Sequence, residues 1–277
     1  MSVFLIAGFV ILLGSLGLWR GIDIRADRAE RARLLAYQPN APALFDPAMV
    51  TDLPDPARRY FTFSIAAGTP LNTVADLAMT GQFSLGTKDA PAYMAMAATQ
   101  TLAAPHGFVW RMSASNGLMR VSGSDSGKWT RFWLMGLAPV ARTGGTRDHA
   151  RAAFGRFAAE AVFWTPAAFL PGPGIAWTAV DASTARVTIS NGERVQEVDL
   201  TVDAQGRPVT IYFQRWTNAN ADKVYRLQPF GGYLSKYRTF AGFTVPTYVE
   251  AGNQFRTDAY FPFFIADVSD VQFPAAG

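Results

Sequence analysis

A charged pair stands in an otherwise apolar stretch near the middle of the chain. Arg156 and Glu160 are spaced i,i+4 within His149–Trp164, where Phe154 and Phe157 share one face of a predicted helix. A helix that buries most of its surface keeps such a pair either as a salt bridge or to hold a polar group inside a cavity. Two interpretations therefore stand: a structural ion pair, or a ligand contact in which Arg156 meets a head group and Glu160 orients it.

Large aromatic and methionine side chains occur in the strands and helices around this pair. Such residues most often pack a core, yet on the inner face of a curved sheet they also line apolar pockets. The candidate ligand contacts of this kind are Trp110, Met112, Trp164 and Phe169.

The sequence contains no recognisable catalytic constellation. Gly123–Gly127 only resembles the nucleophile elbow of hydrolases, because its central residue is Asp125 rather than serine. We interpret Ser124–Gly127 as a turn instead. His106 and His149 lack the paired-histidine or carboxylate spacing of a metal site. The sequence thus predicts a protein with no catalytic residue, no bound metal and no cofactor.

Composition limits the class of protein. Of 277 residues, 49% are hydrophobic and 13% aromatic, which suffices for a sizeable core and excludes a largely disordered chain. The net charge is +4, but no basic block or stripe occurs, so nucleic-acid binding has little support. The absence of cysteine excludes disulfides and thiolate chemistry.

The chain opens with an apolar run, residues 3–19, which ends at Trp19 and is followed by Arg20. At about 1.5 Å per residue, a helix over this run reaches roughly 26 Å, close to the ~30 Å hydrocarbon core of a bilayer. Trp19 at the interface and a snorkelling Arg20 would extend that reach. A cleaved signal peptide is the alternative, but no Lys or Arg precedes the run and no small-x-small cleavage site follows it. We therefore predict a retained transmembrane anchor at residues 1–20.

Residues 21–52 are predicted to connect this anchor to the body of the protein. Residues 26–37 have helical spacing with alternating charges and are interpreted as a solvated juxtamembrane helix. Residues 38–56 contain five prolines, which favours an irregular linker, and a short helix is predicted at Arg58–Ala66. Five arginines follow the apolar run within residues 20–33 and none precedes it, so the positive-inside rule favours a cytoplasmic body.

From Val74 onward apolar and polar residues alternate with period two, as in half-buried β-strands. Asn191-Gly192 lies between two such runs and is a strong β-hairpin signal. The stretch His149–Trp164 and a short helix after Thr165-Pro166 interrupt the series. We predict a mainly β (α+β) fold, in one domain over residues 53–277: a single large curved antiparallel sheet or open barrel of about ten strands, with helices packed on its concave face. The predicted strands are 77–84, 93–102, 108–114, 119–124, 129–135, 185–190, 194–202, 209–216, 233–240, 243–251 and 265–273.

Short motifs are spread over about residues 53–273. They are Leu53-Pro54-x-Pro56-x-Arg58-Arg59-Tyr60, Gly107-Phe108-x-Trp110, Arg156-Phe157-x-x-Glu160-Ala161, Trp164-x-Pro166-x-x-x-Leu170-Pro171, Trp177, Arg215, Tyr237 and Gly242-x-x-x-Pro246. Together they resemble a bacterial, often membrane-anchored family of domains of unknown function, and Arg215 joins the candidate ligand-binding residues through this resemblance. More distantly, the order of strands and helices is similar to the lipoprotein-carrier fold of the bacterial envelope, an unclosed barrel that shelters acyl chains. That similarity implies that the body lies in the periplasm, whereas the arginine count favours the cytoplasm. The side of the membrane is therefore left as two alternatives.

The expected function is binding of a lipid, acyl chain or other apolar ligand by a non-catalytic, single-pass protein of the bacterial inner membrane. The alternative is an interaction or assembly module of a membrane complex, with a filled core and no ligand. A dry pocket of about 300 Å³ or more under the sheet favours the first, and a close-packed interior favours the second. An enzyme acting on a membrane-derived substrate is a third interpretation, for which the sequence offers no catalytic group.

Overall fold

The computed structural model describes residues 2–275. Its helices are α1 (Ser2–Leu35), α2 (Asp55–Ser64) and α3 (Arg147–Trp164), with short 3₁₀ turns at Pro47–Val50 and Pro166–Phe169. Its strands are β1 (Ala75–Ser84), β2 (Tyr93–Ala103), β3 (Gly107–Ser115), β4 (Arg120–Ser126), β5 (Trp129–Leu134), β6 (Ala138–Gly144), β7 (Ile175–Ala179), β8 (Thr184–Asn191), β9 (Arg194–Val202), β10 (Pro208–Thr217), β11 (Arg226–Phe240), β12 (Phe243–Asn253) and β13 (Phe261–Gln272).

The thirteen strands of the described residues form one antiparallel sheet, in the order β6-β5-β4-β3-β2-β1-β13-β12-β11-β10-β9-β8-β7. The chain runs from the middle of the sheet to one edge, crosses to the opposite edge and returns to the middle. There β13 pairs with β1, from Asp76 opposite Gln272 to Phe83 opposite Phe264. The predicted class is confirmed: a mainly β protein with a single antiparallel sheet.

Sequence periodicity finds the inner strands but misses both edge strands. Most residues of β6 are exposed and β7 is short, so neither shows the apolar alternation on which the prediction rests. The predicted turn at Ser124–Gly127 is wrong, because β4 continues through Ser126 and makes Asp125 a strand residue. The Asn191-Gly192 hairpin is confirmed as the β8–β9 connection, with Gly192 at a φ of 60°.

Helix α3 crosses the inner face of the sheet because it connects β6 and β7, the two edge strands. Thr146 caps the helix, and its Oγ1 accepts a hydrogen bond from the His149 backbone N–H at 3.1 Å. The face with Phe154, Phe157 and Val162 is buried in the main core. Because α3 packs against strands from both halves of the sheet, it forms one wall of the interior.

Helix α2 also packs on this inner side. Its Tyr60 hydroxyl donates a hydrogen bond to the Val162 carbonyl oxygen of α3, and both groups are buried. The helix ends before its predicted terminus because Ile65 is extended and forms a bridge with Phe243. α2 therefore ties α3 to the second half of the sheet.

The proline-rich segment 38–56 is mostly irregular, as predicted, but it is attached to the body. Phe45 and Val50 are buried in the main core. The Gln38 side chain is also buried: its Nε2 donates to the carbonyl oxygens of Val74 and Pro274, and its Oε1 accepts from the Val74 N–H. The segment is therefore part of the folded domain rather than a free connection.

The first half of α1 is an exposed apolar rod. Within the described residues, it belongs to one helix that is long and apolar enough to cross a membrane by length and composition, with a mean hydropathy of 1.9. Its side chains from Phe4 to Leu18 are mostly exposed. This surface agrees with the predicted single-pass anchor.

The second half of α1 packs on the outer face of the sheet, opposite α3. Asp23 is buried there and accepts hydrogen bonds from Trp133 Nε1 at 3.0 Å and from Arg142 Nη1 at 2.7 Å. Arg131 bridges Asp23 and Asp27, at 3.0 and 3.1 Å. The prediction of a solvated juxtamembrane helix is therefore wrong, because the acidic residues of α1 find basic partners on strands that are distant in sequence.

Farther along α1, Glu30 is buried and binds Lys128 Nζ at 2.6 Å and Arg33 Nη2 at 2.7 Å. Burial raises the pKa of Glu30, but the hydrogen bonds and charges of Arg33 and Lys128 outweigh it and hold the pKa below its ordinary value. Beyond the helix, Tyr37 stacks on His106 with ring centroids 3.7 Å apart. The sheet thus holds α1 and its extension from Asp23 to Tyr37.

Candidate ligand-binding cavity

A cavity lies between α3 and the inner face of the sheet. Its volume is about 280 Å³, just below the ~300 Å³ at which ligand pockets commonly begin. Most of its lining is apolar, and the aromatic side chains in the lining include Phe83, Trp110, Phe132, Phe163, Phe230 and Phe264. The polar lining residues are Asp125, Thr130, Arg156, Glu160 and Arg215.

Arg156 is the paired cation of this cavity. Its Nε donates to Glu160 Oε1 at 2.8 Å, one turn along α3, and its Nη1 donates to Asp125 Oδ2 on β4 at 2.5 Å. Glu160 also accepts a hydrogen bond from Gln100 Nε2 at 2.6 Å. Burial alone would lower the pKa of Arg156, but the charges of Glu160 and Asp125 outweigh it and raise the pKa. Both carboxylates are therefore engaged, which supports the structural interpretation of the pair.

Arg215 on β10 is the unpaired cation. Its Nε is buried without a hydrogen-bond partner among residues 2–275, while Asp125 and Glu160 are bound to Arg156. Its guanidinium lies over the Phe230 ring, 4.8 Å from the centroid. Burial, together with the positive charge of Arg156, lowers the pKa of Arg215 to about 10. The charges of Asp125 and Glu160 act on this partly buried guanidinium, but neither carboxylate forms a salt bridge with it, so its N–H groups favour an anionic acceptor beside them.

Trp110 on β3 adds a second donor without a partner. The residue is 3% exposed, and its Nε1 has no acceptor among residues 2–275. Buried tryptophan N–H groups usually find one, since leaving a buried donor unsatisfied costs about 1–3 kcal/mol. The Trp110 ring centroid lies 5.0 Å from the guanidinium carbon of Arg156. Two lining residues, Trp110 and Arg215, thus each have a buried N–H, at Nε1 and Nε, without an acceptor among residues 2–275.

A polar network follows the cavity wall from α3 to β5. Thr130 Oγ1 donates to Asp125 Oδ1 at 2.6 Å and lies 3.2 Å from His149 Nε2. A hydroxyl, an imidazole and a carboxylate are thus close together, but the hydroxyl stands between the other two. In nucleophilic catalysis the imidazole stands in the middle, where the carboxylate orients it. This network instead positions Asp125, which in turn binds Arg156.

Five of the sequence-predicted ligand-binding residues line this cavity: Arg156, Glu160, Trp110, Trp164 and Arg215. Two others, Met112 and Phe169, are not among its lining residues. Met112 is buried in the main core. Phe169 is fully buried in the turn after α3, where its carbonyl oxygen accepts from Trp177 Nε1 at 2.9 Å. Residue type alone selected these two, and type does not separate core packing from cavity lining.

Sequence reasoning misses Asp125 and Thr130. Asp125 lies in a Ser-Asp-Ser-Gly run typical of a turn, and only the β3–β4 register places it opposite Trp110. The period-two pattern offers one signal: if β4 is extended, Asp125 falls on the same face as Val121, which is buried in the core.

Comparison with known proteins identifies a family. The model of a family of unknown function, DUF6544, matches residues 43–265, which is more than half of the chain. No curated protein matches. A LolA superfamily protein from Nitrosomonas europaea is a similar solved structure, with a TM-score of 0.40 and 11% identity over 79% of this chain and 92% of that chain. A putative outer membrane lipoprotein-sorting protein domain from Vibrio parahaemolyticus gives a TM-score of 0.35 and 9% identity, over 72% of this chain and 85% of that chain. The family match over residues 43–265 confirms the resemblance to a family of unknown function: the chain belongs to DUF6544.

Proposed function

We propose that the protein is a membrane-anchored, non-catalytic binding protein for an amphipathic ligand with one apolar chain and an anionic head group. The observation that carries this proposal is Arg215 in a largely apolar cavity, with its Nε lacking a hydrogen-bond partner in the described part of the chain. The apolar chain would lie among aromatic side chains such as Phe230 and Phe264. The head group would accept hydrogen bonds from Arg215 and from Trp110 Nε1.

The volume of the cavity limits the size of the ligand. At about 280 Å³, it lies at the lower end of the ~300–1,000 Å³ range of ligand pockets. This suits one acyl chain of moderate length, or an apolar molecule of comparable size. A complete two-chain lipid is too large for it.

Arg156 and Glu160 have a supporting role in this proposal. The sequence hypothesis assigns the head group to Arg156, but Arg156 already binds two carboxylates. We assign the head group to Arg215 instead, with Arg156 and its partners as the fixed polar wall beside it. Trp164 keeps a place in the lining, although its Nε1 donates to the Pro246 carbonyl oxygen at 3.2 Å and is not free for a ligand.

Residues 3–19 would hold the protein in the bacterial inner membrane, which would also supply the ligand. The exposed apolar first half of α1 supports the anchor, and the ion pairs of Asp23 and Asp27 attach that helix to the sheet. The proposal holds for a periplasmic or a cytoplasmic body, since either would lie beside the bilayer.

A filled-core assembly module is the weaker alternative. Close-packed interiors rarely leave buried polar groups unsatisfied. Here a cavity of about 280 Å³ is lined by two residues whose buried donors, Trp110 Nε1 and Arg215 Nε, have no partner within residues 2–275. This combination favours a binding site.

Native mass spectrometry of detergent-extracted protein tests the proposal. Wild-type protein should carry one anionic amphiphile per chain, identified by fragmentation. Ala159→Phe should displace it, because Ala159 lines the cavity and a phenyl ring would occupy the space. Ala152→Phe is the matched control, on the same helix but outside the lining, and should retain the ligand. Equal occupancy in Ala159→Phe and wild type would contradict the assignment of the cavity.

A further inference from the structure

An exposed apolar patch lies at one end of β3–β6, outside the cavity. It consists of Leu118 and Met119 in the β3–β4 turn, Met135 and Leu137 in the β5–β6 turn, and Val140 on the edge strand β6. Leu118 is 94% exposed and Leu137 is 53% exposed. We call these five residues the hairpin patch. Isolated exposed apolar residues are common, but a cluster of this kind marks a contact surface.

The two turns of the hairpin patch are joined to each other. The Met135 N–H donates to the Arg120 carbonyl oxygen at 2.7 Å, and the Arg120 N–H lies 3.4 Å from the Met135 sulfur. Next to this contact, Val121 pairs with Leu134 in the β4–β5 ladder. The turns therefore present their apolar side chains as one surface.

Helix α1 shows where this surface stands relative to the anchor. The Arg20 guanidinium lies against Gly136, in the middle of the β5–β6 turn, and its Nη2 donates to Ser122 Oγ at 3.0 Å. At the other end of β5, Lys128 binds Glu30. Ten residues of helix separate Arg20 from Glu30, which is about 15 Å. The hairpin patch is thus at the level of Arg20, where the apolar first half of α1 ends.

The attachment of α1 prevents the patch from tilting away from that level. Helix α1 is continuous from Ser2 to Leu35, and Asp23 fixes it to Arg131, Trp133 and Arg142 one turn after Arg20. The Trp19 ring meets the Trp133 ring edge-on, with centroids 5.6 Å apart. A bilayer that surrounds residues 3–19 therefore has its boundary at the level of the two turns.

From this geometry we infer that the hairpin patch enters the same membrane as α1, with its five apolar side chains in the interfacial and outer acyl region. Lipid covers the patch, because the patch continues the exposed apolar surface of α1 at the same height along the helix axis. Arg20 and Arg120 flank it, where guanidinium groups meet lipid phosphates. The inference rests on the proposed anchor and is independent of the cavity ligand.

Depth-dependent fluorescence quenching tests this inference on the full-length protein. The sequence contains no cysteine, so single labels can be placed at Leu118→Cys and Leu137→Cys without background. Thr143→Cys, exposed near the end of β6 that is opposite the patch, is the control, and Leu12→Cys reports the anchor. The protein is reconstituted in vesicles of phosphatidylethanolamine and phosphatidylglycerol, with quenchers either on the acyl chains or in the water.

Labels at 118 and 137 should be quenched several times more strongly by the lipid-borne quencher than the label at 143. If the label at 12 is quenched from the lipid while those at 118 and 137 behave as the one at 143, the inference is wrong and the anchor stands. If the label at 12 also escapes the lipid-borne quencher, the anchor and the inference both fail. Circular dichroism of each labelled variant verifies that the fold is intact.

Discussion

Arg156 and Arg215 line one cavity, yet only Arg156 is paired with carboxylates. Asp125 and Glu160 neutralise Arg156, whereas Arg215 Nε has no acceptor among residues 2–275. One arginine therefore stabilises the fold, and the other is available to a ligand. Substitutions at the two positions should have opposite effects on stability and on ligand retention.

Arg215→Met should remove the ligand without unfolding the protein. The substitution keeps an unbranched side chain but deletes the cation, and a hydrogen bond to a charged group contributes about 1.5–3 kcal/mol, or roughly tenfold or more in ligand affinity. Stability should change little, because Arg215 forms no salt bridge with a carboxylate among residues 2–275. Native mass spectrometry and urea unfolding measure the two effects. Arg238→Met is the control: Arg238 is exposed, outside the cavity, and lies 4.9 Å from the Phe240 centroid. Unchanged occupancy in Arg215→Met would remove Arg215 from the site.

Arg156→Met should destabilise the fold. Its removal leaves Asp125 and Glu160 without a cation, although their side chains are only 17% and 20% exposed. Breaking a buried pair in this way costs about 3 kcal/mol. Glu160→Gln keeps an oxygen for Arg156 and should cost about 1 kcal/mol. Equilibrium unfolding in urea gives both values. If Arg156→Met lowers the free energy of unfolding by less than Glu160→Gln does, Arg156 is not the structural member of the pair.

Glu30→Gln should remove part of the acid sensitivity of the protein. Burial raises the pKa of Glu30, but Arg33 and Lys128 outweigh it and hold the pKa below the ordinary value. A carboxylate with a depressed folded-state pKa contributes stability above its unfolded pKa, and this contribution is lost as the pH falls through the folded-state value. The Tm of the wild type should therefore fall more steeply than that of Glu30→Gln below about pH 4.5.

Differential scanning calorimetry from neutral to acid pH measures this difference. Glu193→Gln, in the exposed β8–β9 turn, is the control and should behave as wild type. Parallel curves for wild type and Glu30→Gln would mean that the ion pairs of Glu30 add nothing to the attachment of α1.

Residues 38–275 should unfold and resist proteolysis as one unit. β13 pairs with β1 and α3 joins the two edges, so neither half of the sheet is complete without the other. Trypsin should cut first at Lys223 in the exposed 218–224 loop rather than within 38–56, where Phe45 and Val50 are buried. Mass spectrometry of the early fragments identifies the site. Two separately stable fragments divided near residue 172 would contradict a single domain.

Local sequence patterns predict the features that depend on neighbours along the chain. The apolar run 3–19, the helical stretch with Arg156 and Glu160, the Asn191-Gly192 hairpin and most inner strands follow from local periodicity and turn chemistry. Edge strand β6 is not predicted, because most of its residues are exposed and a strand without a buried face shows no alternation of apolar and polar residues.

Which charged groups find a partner depends on contacts between segments that are distant in sequence. Asp125 reaches Arg156 because the β3–β4 register sets it opposite Trp110, and Asp23 is buried because α1 folds back on strands about a hundred residues away. Such pairings depend on strand register and helix docking, which no local pattern encodes. Arg215 is a sequence candidate only through the family resemblance, and the fold separates it from Arg156 because both nearby carboxylates form salt bridges with Arg156.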